Sequence, residues 1–224
     1  MLGPYPLDSI ITGDARQLAQ AIPDASVDLI FTDPVYDRIE DYRWLAETAA
    51  RVLKPDGALL VWQATRLMSQ TMKAMEPPLN YVWTLHMQKY GPCYPGKTGI
   101  CVITHCYWFD VSGTSKTLIK IADWIGAAQG GRIDNDHRWS KPIKPYIAWL
   151  NAFTDRTAII LDPFTGGGTV PAVCKILERR YLAFEIDPAT ANKARARVAD
   201  TLPLLDGPDN TGFHLTAPPT LWDA

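Results

Sequence analysis

Short apolar runs alternate with longer amphipathic stretches along most of this chain. The runs are rich in β-branched and aliphatic residues and predict buried strands, while apolar residues at helical spacing between them predict helices. The predicted strands are 8–12, 27–32, 58–62, 158–161 and 181–187, and the predicted helices are 15–21, 42–53, 64–75, 144–153, 169–177 and 188–199. This alternation favours an α/β fold built on a parallel sheet with right-handed crossovers.

The pattern changes after residue 80. Residues 81–86 and 101–109 are strand-like with no helical stretch between them, so they predict a long hairpin whose connection, 87–99, is rich in glycine, proline and tyrosine. Residues 112–144 show no clear period. The tail from residue 203 contains several prolines and predicts a loosely packed or disordered end.

Acidic residues stand where four of the predicted strands end. These residues are Asp14, Asp33, Asp162 and Glu185. Ligands of open α/β sheets bind at the carboxyl ends of the strands. The sequence therefore predicts a ligand site, rich in carboxylates, along one edge of the sheet.

A glycine-rich turn joins one of these strands to a helix. In the segment 158–169, AIILDPFTGGGT, three consecutive glycines expose backbone N–H groups beside a helix start, which suits an anion or a nucleoside-containing cofactor. Glu185 follows about 20 residues later, where an acid can bind ribose hydroxyls. Pro171 stands where a dinucleotide fingerprint needs its third glycine, which argues against a nicotinamide cofactor. The alternative is a loop that only turns the chain.

Composition narrows the classes of protein that fit. The chain has 224 residues with 47% apolar content, which suits one domain. Its formal charge of −2 means that any contact with nucleic acid is made by a local basic patch. No apolar run approaches the roughly 20 residues of a membrane span, and no signal peptide is recognisable, so we expect a cytoplasmic protein. The four cysteines lack metal-ligand spacing, which predicts free thiols and no metal site.

Several motifs together resemble those of the amino-methylating DNA methyltransferases. The segment 33–36, DPVY, resembles the D-P-P-Y tetrad of that family, and 162–169, DPFTGGGT, is similar to its D-P-F-x-G-x-G-T cofactor loop. The lead-in to the tetrad and the segment 137–142, HRWSKP, resemble further family motifs. Because the tetrad precedes the cofactor loop, the order resembles that of the circularly permuted β group, here in a small orphan or phage-like member.

The resemblance implies a fold and a division of the chain. The fold is a Rossmann-like S-adenosylmethionine-dependent methyltransferase fold, circularly permuted, with a mostly parallel seven-stranded sheet and one antiparallel strand. We expect a single domain over residues 1–224, with a small target-recognition insertion at about 87–99 and 112–141 and an irregular tail at 203–224.

The resemblance also implies catalytic roles. An exocyclic amine is a poor nucleophile, and hydrogen bonds to the Asp33 carboxylate and the Pro34 carbonyl would orient its lone pair toward the methyl group. Tyr36 would stack on a base flipped out of double-stranded DNA. Val35 replaces the second proline of the family and removes a fixed φ angle, so the loop should be less rigid and activity altered.

For S-adenosylmethionine the resemblance implies a set of contacts around the glycine turn. Glu185 would bind the ribose, and Asp14 would lie beside the adenine. For Asp14 and Asp187 an N-cap role is an equal alternative. The expected cofactor-binding residues are Asp14, Asp33, Lys141, Pro142, Asp162, Phe164, Gly166, Gly168, Thr169, Glu185 and Asp187.

Basic residues interleaved with aromatics in the irregular region suit a phosphate backbone and unstacked bases. The alternative is a solvated surface. The candidate DNA-binding residues are Lys89, Lys97, Lys116, Lys120, Arg132 and Arg138. The region is small, which is typical of a short or degenerate recognised sequence or of recognition shared across a homodimer. Nothing in the sequence identifies a restriction endonuclease partner.

The resemblance favours methylation of adenine N6 in DNA, because in this family Asp at the first tetrad position is typical of adenine enzymes and Ser is more common in N4-cytosine enzymes. The alternatives are N4-cytosine methylation, a catalytically impaired protein that binds cofactor and DNA, and methylation of RNA or of a protein glutamine.

Overall fold

A single mixed sheet covered by helices on both faces forms the body of the protein in the computed structural model. The structure describes residues 1–88, 103–126 and 143–203. The strands are β1 (Ser9–Thr12), β2 (Val27–Thr32), β3 (Leu53–Gln63), β4 (Asn80–Gln88), β5 (Ile103–Asp110), β6 (Trp124–Ile125), β7 (Ile159–Asp162) and β8 (Arg180–Glu185). The helices are α1 (Ala15–Leu18), α2 (Ile39–Val52), α3 (Met68–Met75), α4 (Ile143–Phe153), α5 (Thr169–Ile176) and α6 (Pro188–Asp200).

The strand order is β1-β8-β7-β2-β3-β5-β4-β6. Strands β1, β8, β7, β2 and β3 pair in parallel. Within the described part of the sheet only β5 runs opposite to the rest, since it pairs antiparallel with both β3 and β4 while β6 is parallel to β4. The α/β, mostly parallel fold with one antiparallel strand is confirmed.

The sheet has eight described strands where the sequence predicted seven. The additional strand is the two-residue β6, in the irregular region beyond the hairpin. It forms because the backbone N–H of His86 donates to the carbonyl of Asp123 and the pairing continues to Met87 and Ile125. A two-residue pairing of this kind has no periodic signal in the sequence.

Two hydrophobic clusters lie on opposite faces of the sheet. One face packs against α4, α5 and α6, and the other packs against α1, α2 and α3. The central strand β2, VDLIFT, is almost entirely buried because both of its faces are covered. Along α3, Met75 is buried in the core and Met68 is 43% exposed.

Two predicted helices are shorter in the structure and are accompanied by 3-10 turns. Residues 15–21 form α1 followed by the 3-10 helix Ala19–Ala21, and residues 64–75 form the 3-10 helix Thr65–Leu67 followed by α3. The described cysteines, Cys106 and Cys174, are buried free thiols, as predicted. Within the described ranges, none of the helices combines the length and the apolar character that crossing a bilayer requires.

Candidate active site

A cleft of about 710 Å³ opens at the carboxyl ends of β1, β8, β7 and β2. Its walls come from the segments that follow these four parallel strands and from the start of α2. The lining residues are Gly13, Asp14, Ala15, Arg16, Asp33, Val35, Asp37, Arg38, Ile39, Glu40, Asp41, Pro163, Phe164, Gly166, Phe184, Glu185 and Ile186. The structure therefore places the acidic strand ends of Asp14, Asp33 and Glu185 around one cavity, as the sequence predicts.

The tetrad 33–36 follows the end of β2. Asp33 and Val35 line the cleft, whereas Pro34 and Tyr36 lie behind its lining. The Tyr36 hydroxyl is hydrogen-bonded to the Asp33 side chain, and burial, reinforced by the Asp33 charge, raises the pKa of Tyr36 well above its usual value. Tyr36 is therefore neutral at physiological pH and donates to the carboxylate. Val35 is 59% exposed and lines the cleft.

An aromatic cluster packs around the end of β2, immediately before the tetrad. Phe31, two residues before Asp33, stacks on Tyr146 of α4 with ring centroids 4.8 Å apart. Trp62 and Trp149, both fully buried, pack beside them at 5.3 Å. Large rings in fixed contact leave little room for the end of β2 to shift.

The tetrad strand and the cofactor-loop strand are joined by a buried hydrogen bond. The Thr32 hydroxyl donates to Asp162 Oδ1 over 2.7 Å, and the backbone N–H of Phe164 donates to the same oxygen over 3.3 Å. Asp162 is only 3% exposed, and burial raises its pKa from 3.8 to about 7 despite these hydrogen bonds. Asp162 thus lies beneath the cleft and fixes the two loops relative to each other.

The elevated pKa of Asp162 predicts a pH-dependent stability. Between pH 3.8 and about 7 the folded protein keeps this proton while the unfolded chain releases it, so the free energy of unfolding falls as pH rises and is level above that window. Asp162→Asn keeps an oxygen acceptor and cannot ionise. We expect its stability relative to the unaltered chain to rise by about 1.4 kcal/mol per pH unit within the window. Urea unfolding at a series of pH values checks this, and parallel stability curves for the two proteins would contradict it.

Gly166 and Gly168 of the glycine turn have different surroundings. Gly166 (φ +49°) lines the cleft, and a Cβ there would meet nothing within 4 Å. Gly168 (φ +74°) faces α6 instead, and a Cβ there would lie 3.0 Å from the Cβ of Ala194. Arg197 of α6 donates to the Gly167 carbonyl over 3.0 Å and to the Thr169 hydroxyl over 3.1 Å. Gly168 and Thr169 therefore anchor the turn to α6 and do not line the cleft.

Substitution of these two glycines should have separable effects. Gly166→Ala adds only the strain of a left-handed residue, about 1–2 kcal/mol, but places a methyl group in the cleft wall. Gly168→Ala adds the same strain and a contact with Ala194, so it should lower the free energy of unfolding further. We expect Gly166→Ala to weaken cofactor binding more and Gly168→Ala to destabilise the fold more, as measured by calorimetry and urea unfolding. Equal effects of the two substitutions on both measurements would contradict this assignment.

Glu185 binds the turn on its cleft side. Its Oε2 accepts from the N–H of Gly166 over 3.0 Å, and its Oε1 accepts from the N–H of Asp187 over 2.9 Å. A carboxylate oxygen can accept more than one hydrogen bond, so Glu185 can support the turn and still bind a ligand.

The sequence left the roles of Asp14 and Asp187 open, and both act as N-caps. Asp14 caps α1 by accepting from the N–H of Arg16 over 2.8 Å, and it also lines the cleft. Asp187 caps α6 by accepting from the N–H and the hydroxyl of Thr190, which lowers its pKa, and it does not line the cleft. Asp14 can therefore cap α1 and also contact a ligand in the cleft, whereas Asp187 caps α6 outside the cleft lining.

Several predicted site residues lie outside the described residues. These are Lys89, Lys97, Arg132, Arg138, Lys141 and Pro142. Lys116 and Lys120 are exposed in the connection between β5 and β6 and do not line the cleft. Their role as DNA contacts, like the proposed target-recognition insertion, stays a prediction.

The structure adds cleft residues that the motifs did not indicate. Arg16 pairs with Asp41 at the start of α2, and its guanidinium lies 5.9 Å from the ring of Trp44. The same ring packs edge-on against Phe164 with centroids 5.5 Å apart. Ile186, between Glu185 and Asp187, is 68% exposed at the rim. The spacing of Asp41 and Trp44 by one helical turn is the only sequence signal that places these two side chains on the same side of α2.

The arrangement is that of a Rossmann-like α/β protein with an acidic cleft at the carboxyl ends of its parallel strands. A family model described as DNA methylase, of the N6/N4 methyltransferase type, matches residues 63–195, and a general methyltransferase-domain model matches residues 4–61. The first match spans more than half of the chain. The protein therefore belongs to the N6/N4 DNA methylase family.

The chain is also similar to individual proteins in sequence or in fold. The type II methyltransferase M.HpaI of Haemophilus parainfluenzae is 25% identical, in an alignment that covers 84% of this chain and 73% of the relative. The crystal structure of the M1.HpyAVI–SAM complex has a TM-score of 0.70 at 22% identity and covers 85% of this chain and 98% of that one. The cytosine-N4-specific PvuII DNA methyltransferase has a TM-score of 0.73 at 16% identity, over 91% and 88% of the two chains.

Proposed function

We propose that this protein transfers a methyl group from S-adenosylmethionine to the N6 amino group of adenine in DNA. The observation that carries the proposal is the position of Asp33. Its carboxylate lines the cleft at the end of β2, and the neighbouring Thr32 is hydrogen-bonded to Asp162 beneath the glycine turn. A methyl donor held by the turn and an amine held by Asp33 would therefore lie next to each other.

The charge of the cleft supports a cationic cofactor. Six carboxylates line it against two guanidinium groups. Three of the six are in ion pairs, Asp37 with Arg66, Glu40 with Arg43 and Asp41 with Arg16, so the negative charge comes mainly from the other three. S-adenosylmethionine carries a positive sulfonium group, which supplies the electrophilic methyl carbon. A surplus of negative charge around that group favours binding of the charged cofactor over its neutral demethylated product.

The contacts of the glycine turn suggest how the nucleoside part is held. Glu185, fixed by the N–H groups of Gly166 and Asp187, would accept from the ribose hydroxyls. Asp14 and the exposed side chain of Ile186 would flank the adenine, and Phe164 would contact the methionine part. Asp162 supports this binding from beneath and makes no contact with the cofactor in this proposal.

Asp33 and Pro34 would activate the amine. The lone pair of an exocyclic amine is delocalised into the ring, and hydrogen bonds to the Asp33 carboxylate and the Pro34 carbonyl would orient it for an in-line displacement. S-adenosylmethionine would supply the methyl group: N6 would form the new bond to the methyl carbon, the sulfur would keep the electron pair of the bond that breaks, and the amine would then release one proton to solvent. The hydrogen bond from Tyr36 holds Asp33 in place before substrate arrives.

An adenine within a duplex cannot reach this cleft, so the base must be flipped out at a cost of a few kcal/mol. Tyr36, half-buried beside Asp33, would stack on the flipped base. Exposed Lys116 and Lys120 would contact the phosphate backbone of double-stranded DNA. Recognition shared across a homodimer is compatible with this arrangement, and sedimentation of the protein with and without DNA tests it.

Transfer of tritiated methyl groups tests the proposal. S-adenosylmethionine labelled in its methyl group is incubated with the protein and unmethylated DNA, and in parallel with RNA and with a peptide that contains glutamine. We expect label in DNA only, and none with Asp33→Ala. Label confined to RNA or to the peptide, or equal label with the variant, would refute the proposal.

Val35 supports a second candidate function, a protein that binds S-adenosylmethionine and DNA without turnover. The side chain is exposed within the cleft and lacks the fixed φ of the proline found in the family motif. Calorimetric binding of both ligands, with no methylated product by mass spectrometry, would favour this function over the first.

A further inference from the structure

Gln63 connects the catalytic tetrad to α3. It is the last residue of β3, is fully buried, and lies at the same edge of the sheet as the tetrad. Its Nε2 donates to the carbonyl of Tyr36 over 3.4 Å and to the hydroxyl of Thr71 over 2.9 Å. Its Oε1 accepts from the N–H of Ala64 over 2.7 Å. This buried amide therefore contacts the tetrad, the end of β3 and α3 at once.

The orientation of the Gln63 amide follows from its partners. The N–H of Ala64 can only donate, so the atom facing it must be the oxygen. The NH₂ group is then directed toward the Tyr36 carbonyl, which can only accept, and toward Thr71, which is fully buried on α3. No other arrangement satisfies all three partners, so the contact with Tyr36 is fixed by the surrounding structure.

The tetrad needs such a contact because Val35 does not restrict the backbone as proline would. The family motif D-P-P-Y fixes two consecutive φ angles before its tyrosine, and this chain fixes only the one at Pro34. The N–H of Arg38 donates to the Val35 carbonyl over 3.1 Å, which closes a turn after the tetrad but does not fix the φ angle of Val35 as a proline ring would. The Gln63 amide holds the residue that follows immediately.

We propose that Gln63 is a positioning residue that holds the catalytic tetrad in place of the second proline. This inference rests on the proposed methyl transfer. In this proposal Gln63 contacts neither cofactor nor base. It acts through Tyr36, whose hydroxyl is hydrogen-bonded to the Asp33 side chain. Because Gln63 and Val35 restrain the same loop, the effects of substituting them should depend on each other.

The test is a double-mutant cycle with Gln63→Met, which is similar in size, and Val35→Pro. We expect Gln63→Met to lower kcat by about tenfold, corresponding to the loss of the hydrogen bond to Tyr36. The substitution also removes the hydrogen bonds with Ala64 and Thr71, which act on the stability of the fold. The KM for S-adenosylmethionine should change little, because Gln63 does not line the cleft. Adding Val35→Pro should restore most of the lost kcat. Gln63→Asn, too short to reach Tyr36, is the second variant if the first does not fold.

Thr71→Val is the matched control because it removes the other hydrogen bond of the same NH₂ group. Thr71→Val should lower the free energy of unfolding and leave kcat unchanged. Adding Val35→Pro to it should not raise kcat. Hydrogen exchange of the peptide that spans residues 33–38 is measured on all variants. We expect faster exchange in Gln63→Met and recovery in the double variant.

Two results would overturn the role of Gln63. One is a loss of kcat in Thr71→Val equal to that in Gln63→Met, and the other is exchange at residues 33–38 that neither substitution alters. If the unaltered protein methylates no DNA, the proposed function fails. The exchange measurement still decides whether Gln63 holds the tetrad, so the two failures are distinguishable.

Discussion

Asp33→Ala is expected to lower kcat for methyl transfer to DNA by about 10³-fold, because it removes the charged acceptor that would orient the target amine. The affinity for S-adenosylmethionine should stay close to that of the unaltered chain, since Glu185 and the glycine turn remain. Single-turnover methyl transfer and calorimetric titration of the cofactor measure the two quantities. Tyr36 loses its hydrogen-bond partner in this variant, so part of the effect arises from the loss of order around the tetrad.

Asp33→Asn is the matched control for charge. It keeps the size of the side chain and one oxygen acceptor, so it should retain more activity than the alanine variant. A kcat in Asp33→Ala within a few-fold of the unaltered protein would show that the carboxylate does not act on the amine. A parallel collapse of cofactor affinity would instead make Asp33 primarily a cofactor ligand.

Glu185→Ala is expected to weaken S-adenosylmethionine binding by about 100-fold. The substitution removes the charged acceptor of the Gly166 N–H, worth roughly 1.5–3 kcal/mol, and with it the proposed contact to the ribose. The turn would lose its support on the cleft side while Arg197 still holds it on the α6 side. Isothermal titration calorimetry measures the dissociation constant directly.

Asp187→Ala provides the comparison, because this acid is the neighbour that caps α6 without lining the cleft. It should lower thermal stability and leave cofactor affinity nearly unchanged. The reverse result, with Asp187→Ala abolishing binding and Glu185→Ala tolerated, would mean that the ribose is bound by Asp187.

The sequence predicts the strand ends well because they carry strong local signals. The β2 run from Val27 to Thr32 is apolar enough to be recognised as a buried strand, so Asp33 necessarily stands at its carboxyl end. The glycine turn is marked by its composition and by the helix that follows it. Parallel pairing then gathers these ends at one edge, and the cleft contains Asp14, Asp33, Phe164, Gly166 and Glu185 as expected.

The remaining features depend on contacts between distant segments. The direction in which Gly168 and Thr169 face is set by Ala194 and Arg197 of α6, some 30 residues away. Gln63 has no motif of its own, and its role depends on the loop and on α3 meeting at the end of β3. Local patterns of apolar and polar residues carry no information on such pairings.

The identity of the methylated base shows whether adenine N6 is the acceptor of the methyl group. DNA is incubated with the protein and S-adenosylmethionine carrying a deuterated methyl group, digested to nucleosides and analysed by mass spectrometry. We expect deuterated N6-methyladenine that is absent with Asp33→Ala. Deuterated N4-methylcytosine in its place, or no labelled nucleoside from DNA that the protein binds, would contradict it.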